Sequence, residues 1–228
     1  MIYTLAITTY NRYELLLESF ADVINDERIG EVLIVDDCSN ASYWNKIAAL
    51  PKFNPKIRVV RQAQNRGMQQ NKADAIALSK NEWVIIFDSD NIIKPDYLDA
   101  IPDDLFRDWI YLPDFAWPNF DYRKFSGLEI DRNNVAEVIN DDMGNCMLNT
   151  CNYLVHRDLY GEVYKYSTET KATDTIYMAL QWLSVGYKFK VVGGMTYFHR
   201  VHPSSGFLEN ASYNMKKAEE IKKLILAL

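Results

Sequence analysis

The chain has 228 residues, of which 48% are hydrophobic and 25% are charged, and its formal net charge is −6. These values are typical of a globular protein with one domain, or one domain with a small appendage, and they exclude a disordered or fibrous chain. The net negative charge argues against nucleic acid as a partner, so an anionic ligand would need a local basic cluster or a bound cation.

The cysteines and the amino terminus predict a cytoplasmic protein. The three cysteines form no CxxC pair, and an odd number without metal-ligand spacing is typical of a reducing compartment. The first twelve residues, MIYTLAITTYNR, contain no basic region and no long apolar run, so we predict no signal peptide. No stretch approaches the roughly 20 apolar residues that a membrane span requires.

Apolar runs alternate with helical patterns through the first hundred residues. The runs are nearly continuous in hydrophobicity, as expected of strands buried on both faces, and the helical patterns repeat every three or four residues. In chain order, we predict strand 2–8, helix 13–25, strand 31–36, helix 42–50, strand 57–61, helix 68–79, strand 83–88 and a helix from Pro95 through Leu98. This alternation predicts an α/β fold with a mostly parallel central sheet flanked by helices.

The second half of the chain is less regular. Residues 103–150 mix aromatic residues, prolines and polar residues, and we predict loops over the sheet there. A helix is predicted at 173–185 and a strand at 187–192. Residues 213–228 have an amphipathic pattern that we expect to pack on the same domain, with peripheral contact to a membrane surface as the alternative.

Polar residues follow three of the predicted strands, at the edge where parallel α/β sheets bind ligands. They are Thr8 to Arg12 after the first strand, Asp36 and Asp37 after the second, and Asp88, Ser89 and Asp90 after the fourth. Asp36 or Asp37 could accept a hydrogen bond from a nucleobase or a ribose, or could cap the helix that begins near Ser42. Thr8 and Tyr10 could supply a hydroxyl and a stacking ring, and Tyr10 could equally belong to the core.

Asp88 and Asp90 are separated by one residue, so on an extended chain their side chains point the same way. Two such carboxylates could bind a divalent cation that bridges to a diphosphate. The alternative is that they end the strand and form a turn. The chain has neither GxGxxG after the first strand nor GxxxxGK[ST], so the phosphates need another counter-charge, which points to a metal and to Arg66 or Lys72.

Several segments together resemble family 2 glycosyltransferases of the GT-A fold. They are AITTYNR, VLIVDDCSN, NRGMQQNKADAIALSKNEWVIIFDSDN and KPDYL within residues 2–101, and later ATDTIYMALQWLSVGYKFKVV and YFHRVHPSS. The resemblance implies a Rossmann-like sheet in one compact domain, residues 1–212. Within it, 1–101 would bind the nucleotide and 102–212 would bind the acceptor, followed by a C-terminal helix at 213–228.

The resemblance also implies a role for individual residues. Those that match nucleotide-sugar-binding positions are Thr8, Tyr10, Arg12, Asp36, Asp37, Arg66, Lys72, Asp88, Ser89 and Ser204. Asp90 and His202 match metal-ligand positions, with Mn²⁺ or Mg²⁺ as the ion, and the match favours His202 over His199. Asp174 matches the catalytic base, although the preceding residue is Thr173 where the family commonly has Glu.

The position of Asp174 independently suits a base. At the start of a helix the macrodipole stabilises its anion, which can accept a proton from an attacking hydroxyl. The alternative is an ordinary residue at a helix N-terminus. Farther up the chain, Asn149, Thr150 and Asn152 could bond substrate hydroxyls or could stabilise a loop.

We therefore predict a metal-dependent, inverting glycosyltransferase. Its donor is a nucleoside-diphosphate sugar, with a UDP-sugar favoured, and its acceptor is a glycan or a carrier-linked sugar. Two alternatives remain open. A nucleotidyltransferase that makes sugar nucleotides would usually carry a Gly-rich basic loop after the first strand. A non-catalytic sugar-nucleotide-binding module would tolerate the loss of Asp174.

Overall fold

The computed structural model describes residues 1–201 and 210–228. These residues form a single sheet flanked by helices. The strands are β1 (Tyr3–Thr9), β2 (Ile29–Asp36), β3 (Ile57–Arg61), β4 (Trp83–Asp88), β5 (Ile92–Ile93), β6 (Trp109–Trp117), β7 (Phe120–Asp121), β8 (Glu129–Ile130), β9 (Leu154–His156) and β10 (Lys188–Phe198). The α-helices are α1 (Tyr13–Phe20), α2 (Ala41–Ile47), α3 (Met68–Leu78), α4 (Pro95–Asp99), α5 (Val135–Ile139), α6 (Asp142–Leu148), α7 (Arg157–Val163), α8 (Asp174–Ser184) and α9 (Ala211–Ile225).

The sheet has a parallel part and a mixed part. In the parallel part the order is β3-β2-β1-β4, and the aliphatic residues of β1, β2 and β4 are almost completely buried. The strand β9 runs antiparallel to both β4 and β6, and the sheet continues through β10 to β5. The α/β fold class is confirmed, and β9 and the short strands make the sheet mixed.

The register of the parallel strands brings the predicted polar strand ends together. Thr8 of β1 lies opposite Val35 of β2 on one side and opposite Asp88 of β4 on the other. Thr9 lies opposite Asp36. The carboxyl ends of β2, β1 and β4 therefore form one continuous edge.

The predicted loops at 103–150 are wrong in one important place, because β6 is a long, mostly buried strand between β9 and β10. Its aromatic residues and Pro113 conceal the strand pattern. Pro113 lies opposite Val192 of β10, where the register between the two strands shifts before Thr196. A bulge of this kind accommodates a proline that cannot donate to the ladder.

The helices that were predicted from periodicity are present, with shifted ends. The helix predicted at 13–25 ends at Phe20, and the helix predicted at 173–185 is α8. The C-terminal helix α9 packs against α8 and buries Ile221 and Ile225. Within the described ranges, no helix has both the length and the apolar character needed to cross a membrane.

Candidate active site

A cavity of about 400 Å³ opens beside the end of β4. Its wall combines the turn after β4, the segment between α6 and β9, the start of α8 and the segment after β10. The charged or ionisable side chains on this wall include Arg12, Asp88, Asp90, Asp174, His199 and Arg200. Residues predicted from three separate segments of the sequence therefore meet in one place.

Asp88 and Asp90 both face this cavity, while Ser89 between them is buried. Asp88 is the last residue of β4, and its backbone N–H donates to Asn152 Oδ1 at 2.8 Å. A turn follows, closed by the Asn91 N–H donating to the Asp88 carbonyl at 3.2 Å. The turn interpretation of the two aspartates is confirmed, both carboxylates line the cavity, and their role as cation ligands stays a prediction.

Each of these carboxylates has a basic partner. Arg12 Nη1 donates to Asp90 Oδ2 at 2.6 Å. Lys72 Nζ lies 3.5 Å from Asp88 Oδ1. Burial raises the pKa of Asp88; Lys72 opposes this effect, and the nearby Asp90 and Asp174 reinforce it. Within the described part of the chain, two basic side chains, Arg12 and Lys72, thus contact three carboxylates, those of Asp88, Asp90 and Asp174. This excess of negative charge favours the binding of a further cation.

Lys72 also contacts Asp174, with its Nζ 3.1 Å from Asp174 Oδ2. The Lys72 side chain is only 8% exposed. Burial alone would lower its pKa, but the carboxylates of Asp174 and Asp88 outweigh that effect and hold the pKa of Lys72 well above its ordinary value. The prediction that Lys72 serves as a counter-charge for phosphates stays a prediction, and the structure adds that two protein carboxylates already contact its ammonium group.

Asp174 is the first residue of α8, which confirms its predicted position at a helix start. The residue is 7% exposed. Thr173, which replaces the acidic residue expected there, donates from Oγ1 to the Thr170 carbonyl at 2.6 Å. Thr173 therefore stabilises the turn that leads into α8.

Asp37 and Asp36 fix loops at the edge of the sheet. Asp37 Oδ1 accepts from the Arg66 N–H at 2.7 Å, and Oδ2 accepts from the Gly67 N–H at 2.9 Å. Burial raises the pKa of Asp37, and these two backbone hydrogen bonds oppose the rise. Asp36 Oδ2 accepts from the Ser39 N–H at 3.0 Å. Neither aspartate caps α2, which begins at Ala41 after Asn40.

The remaining predicted nucleotide contacts lie along the same edge, outside the cavity wall. Tyr10 is 45% exposed, so the alternative that it belongs to the core is wrong. Thr8 is partly buried at the end of β1. The guanidinium of Arg66 pairs with Asp74 at 2.7 Å. His202 and Ser204 lie outside the described residues.

Sequence reasoning favoured His202 over His199 and assigned no role to Arg200, but both His199 and Arg200 line the cavity directly after β10. The Asn119 amide donates to His199 Nδ1 at 2.9 Å, so a neutral His199 carries its proton on Nε2. Arg200 Nη2 pairs with Glu18 at 2.5 Å, whereas its Nη1 is buried and has no hydrogen-bond partner among the described residues. The signal in the sequence was the pair of adjacent basic residues, His199 and Arg200, directly after the apolar residues of β10.

The loop-stabilising interpretation of the segment before β9 holds for two of its three polar residues. Thr150 Oγ1 donates to the Cys146 carbonyl at 2.7 Å, and Asn152 bonds the Asp88 backbone, so these two stabilise the loop. Asn149 lines the cavity, and its Oδ1 is buried with no hydrogen-bond partner among the described residues. A contact from Asn149 to a substrate hydroxyl stays a prediction.

The donor set fits a divalent cation that shares its ligands with a substrate. Within residues 1–201 and 210–228, no cluster of three His, Cys, Asp or Glu side chains is arranged to hold a metal. Two carboxylates on a cavity wall nevertheless match the way Mg²⁺ binds, through one or two carboxylates together with phosphate oxygens and water. The residues present therefore fit an ion that binds together with a diphosphate.

Comparison with known proteins gives a family and a fold. The family model described as Glycosyl transferase family 2 matches residues 4–140. The succinoglycan biosynthesis protein ExoO of Rhizobium meliloti is 28% identical over 96 residues, which are 42% of this chain and 27% of that protein. The segment shared with this relative is thus about a quarter of its length.

Two groups of solved structures have similar folds. TarS 1-349 of S. aureus in complex with UDP-GlcNAc superposes with a TM-score of 0.70 at 15% identity, covering 99% of this chain and 65% of that chain. The mannosyltransferase PcManGT of Pyrobaculum calidifontis, in complex with GDP-Man and Mn²⁺, gives a TM-score of 0.65 at 15% identity, covering 98% and 67%. At these identities the likeness shows the fold alone.

Proposed function

Because the chain belongs to glycosyl transferase family 2, as its sequence motifs predicted, we propose that it transfers a sugar from a nucleoside-diphosphate sugar to a hydroxyl group. The donor we propose is a UDP-sugar, supported by the similar fold of TarS, which was solved with UDP-GlcNAc. The acceptor is a glycan or a carrier-linked sugar, supported by the similarity to a succinoglycan biosynthesis protein. Residues 1–101 form the donor half and 102–212 the acceptor half.

One observation carries this proposal: Asp174, Asp88 and Asp90 line the same cavity. Asp174 accepts the proton of the acceptor hydroxyl as its oxygen attacks the anomeric carbon. A single displacement of this kind inverts the anomeric configuration. Thr8, Tyr10 and Asp37 lie along the neighbouring edge of the sheet, where they hold the nucleoside.

Asp88 and Asp90 are the residues that would hold a divalent cation, Mn²⁺ or Mg²⁺. Such an ion stabilises negative charge on a departing diphosphate. The similar fold of PcManGT, solved with Mn²⁺, supports this choice. The basic side chains on the same wall, Arg12 and Arg200, add positive charge next to the diphosphate.

The test is a panel of nucleotide sugars, including UDP-sugars and GDP-mannose, assayed with and without Mn²⁺. We expect a UDP-sugar to be transferred or hydrolysed only with the metal present, and the product to have inverted anomeric configuration by NMR. Asp174→Asn should retain UDP binding and should lower the transfer rate by about 10²–10⁴-fold, the usual contribution of a general base.

The matched control is Asp96→Asn, which removes an exposed carboxylate from the first turn of another helix, α4. It should transfer at the wild-type rate. Unchanged turnover in Asp174→Asn would remove the base assignment. A preference for GDP-mannose would replace UDP by GDP in the proposed donor. UDP binding without any turnover would support a non-catalytic binding module.

A further inference from the structure

We propose that Lys72 is a positioning residue that holds the carboxylate of Asp174 in its reactive orientation from behind the cavity. This assignment rests on the proposed function, because it concerns the residue that acts as the base. It differs from the role of a donor contact that the sequence suggested for Lys72.

The geometry around Lys72 supports this role. Its Nζ lies 3.1 Å from Asp174 Oδ2 and 3.5 Å from Asp88 Oδ1. Asp88 and Asp174 line the cavity, whereas Lys72 is not among the described residues that form its wall. An ammonium group in this place contacts both carboxylates from the protein side and leaves Asp174 Oδ1 for the acceptor hydroxyl.

The helix that carries Lys72 also holds the segment that delivers Asp174. Gln69 lies one turn before Lys72 on α3. Its Oε1 accepts from the Ser167 N–H at 3.0 Å and from Thr170 Oγ1 at 2.9 Å, and its Nε2 donates to the Lys165 carbonyl at 3.2 Å. Gln69 therefore fixes the backbone before α8, and Lys72, one turn later on α3, holds the carboxylate of Asp174 at the start of α8.

The helix α3 is itself anchored to the sheet. Asn71 Nδ2 donates to the Val35 carbonyl at the end of β2, at 3.1 Å, and α3 packs against β1 and β4. The strand β4 ends at Asp88, the second partner of Lys72. Through Lys72 the rigid donor-side edge of the sheet thus sets the position of the base, which lies about a hundred residues later in the chain. A misplacement of about 1 Å at a reacting group can cost about 100-fold in rate.

The experiment compares Lys72→Met and Lys72→Arg with wild type, using the donor that the wild-type enzyme accepts. Lys80→Met is the control, because Lys80 is an exposed lysine just beyond the end of α3. We expect Lys72→Met to lower kcat by about 100-fold, while the donor KM and the Kd for UDP stay within about threefold of wild type. The kcat of Lys72→Arg should be at least about tenfold higher than that of Lys72→Met, because arginine restores the cation.

Two outcomes would overturn the proposal. A kcat close to wild type in Lys72→Met would show that Asp174 needs no support from Lys72. A parallel loss of UDP affinity and kcat, with a native circular dichroism spectrum, would make Lys72 a donor contact instead. Failure of the proposed function is distinguishable from both, because the wild-type enzyme would then transfer no sugar.

Removing a buried cation can prevent folding, because it leaves two carboxylates facing each other. In that case Lys72→Gln is used instead, because its amide can still donate to one of the two carboxylates without carrying a charge. A loss of kcat in Lys72→Gln with a Kd for UDP close to that of wild type supports the proposal, and a kcat close to that of wild type overturns it.

Discussion

Asp37 illustrates, at the scale of one residue, how a side chain can shape a binding edge through backbone contacts. Its two oxygens each accept one N–H, from Arg66 and from Gly67. Asp37→Asn keeps the size of the side chain but turns one oxygen into an N–H₂ group that faces a donor. We expect a loss of about 1–3 kcal/mol in the free energy of unfolding, the usual cost of an unsatisfied buried group, measured by urea denaturation.

The same variant should bind UDP more weakly in a thermal-shift titration, because the loop at 62–67 would no longer be fixed. Asp104→Asn, at an exposed position, is the control and should match wild type in both measurements. Equal stability of Asp37→Asn and wild type would mean that the two backbone contacts add nothing.

Two glycines in short helices give opposite expectations at the scale of an element. A Cβ on Gly144 of α6 would lie 2.1 Å from the carbonyl oxygen of Val138, whereas a Cβ on Gly161 of α7 would have no heavy atom within 4 Å. Gly144→Ala forces α6 away from α5, and we expect it to lower the free energy of unfolding by about 1–3 kcal/mol. Gly161→Ala should raise it by up to about 1 kcal/mol, because alanine is the better helix former.

Circular dichroism in a urea series measures both variants, and each serves as the control for the other. A midpoint for Gly144→Ala at or above that of wild type would contradict the close approach of α6 to the end of α5. Gly144→Ala should also lower transfer activity, because α6 leads to Asn149 and Thr150 on the cavity wall.

At the scale of the whole molecule, the two parts of the sheet meet at β9. The residue His156 of β9 makes the stability of this junction depend on pH. His156 lies opposite Trp83 of β4 and accepts a hydrogen bond from Arg107 Nε at 3.1 Å. Burial, followed by the charge of Arg107, lowers the pKa of His156 below its ordinary value of 6.5. The folded protein therefore binds fewer protons at this site than the unfolded chain.

Its contribution to stability is consequently complete above pH 6.5 and is lost as the pH falls through the lowered pKa. We expect wild type to lose more unfolding free energy than His156→Gln between about pH 7.5 and about pH 5, since glutamine can accept from Arg107 but does not titrate in this range. Urea denaturation at both pH values measures the difference. Parallel losses in the two proteins would contradict the role of His156.

Much of the fold of the first hundred residues was predictable because its signals are local. The strands β1 to β4 and the helices between them follow from apolar periodicity, and the polar strand ends follow from residues that are adjacent in sequence. The two aspartates on one face and the position of Asp174 at a helix start are also local features. By contrast, β6 escaped prediction, because its aromatic residues and Pro113 mask the pattern of a buried strand.

The sequence by itself determined the alternating α/β pattern, the family motifs and the residue types that chemistry at the site requires. Only the tertiary structure decided that Lys72 lies between Asp88 and Asp174, that His199 and Arg200 join the cavity wall, and that β9 connects the two parts of the sheet. The physical reason is that periodicity and strand ends are properties of neighbouring residues. Contacts across a hundred residues depend on how strands pair and helices pack, which no local pattern specifies.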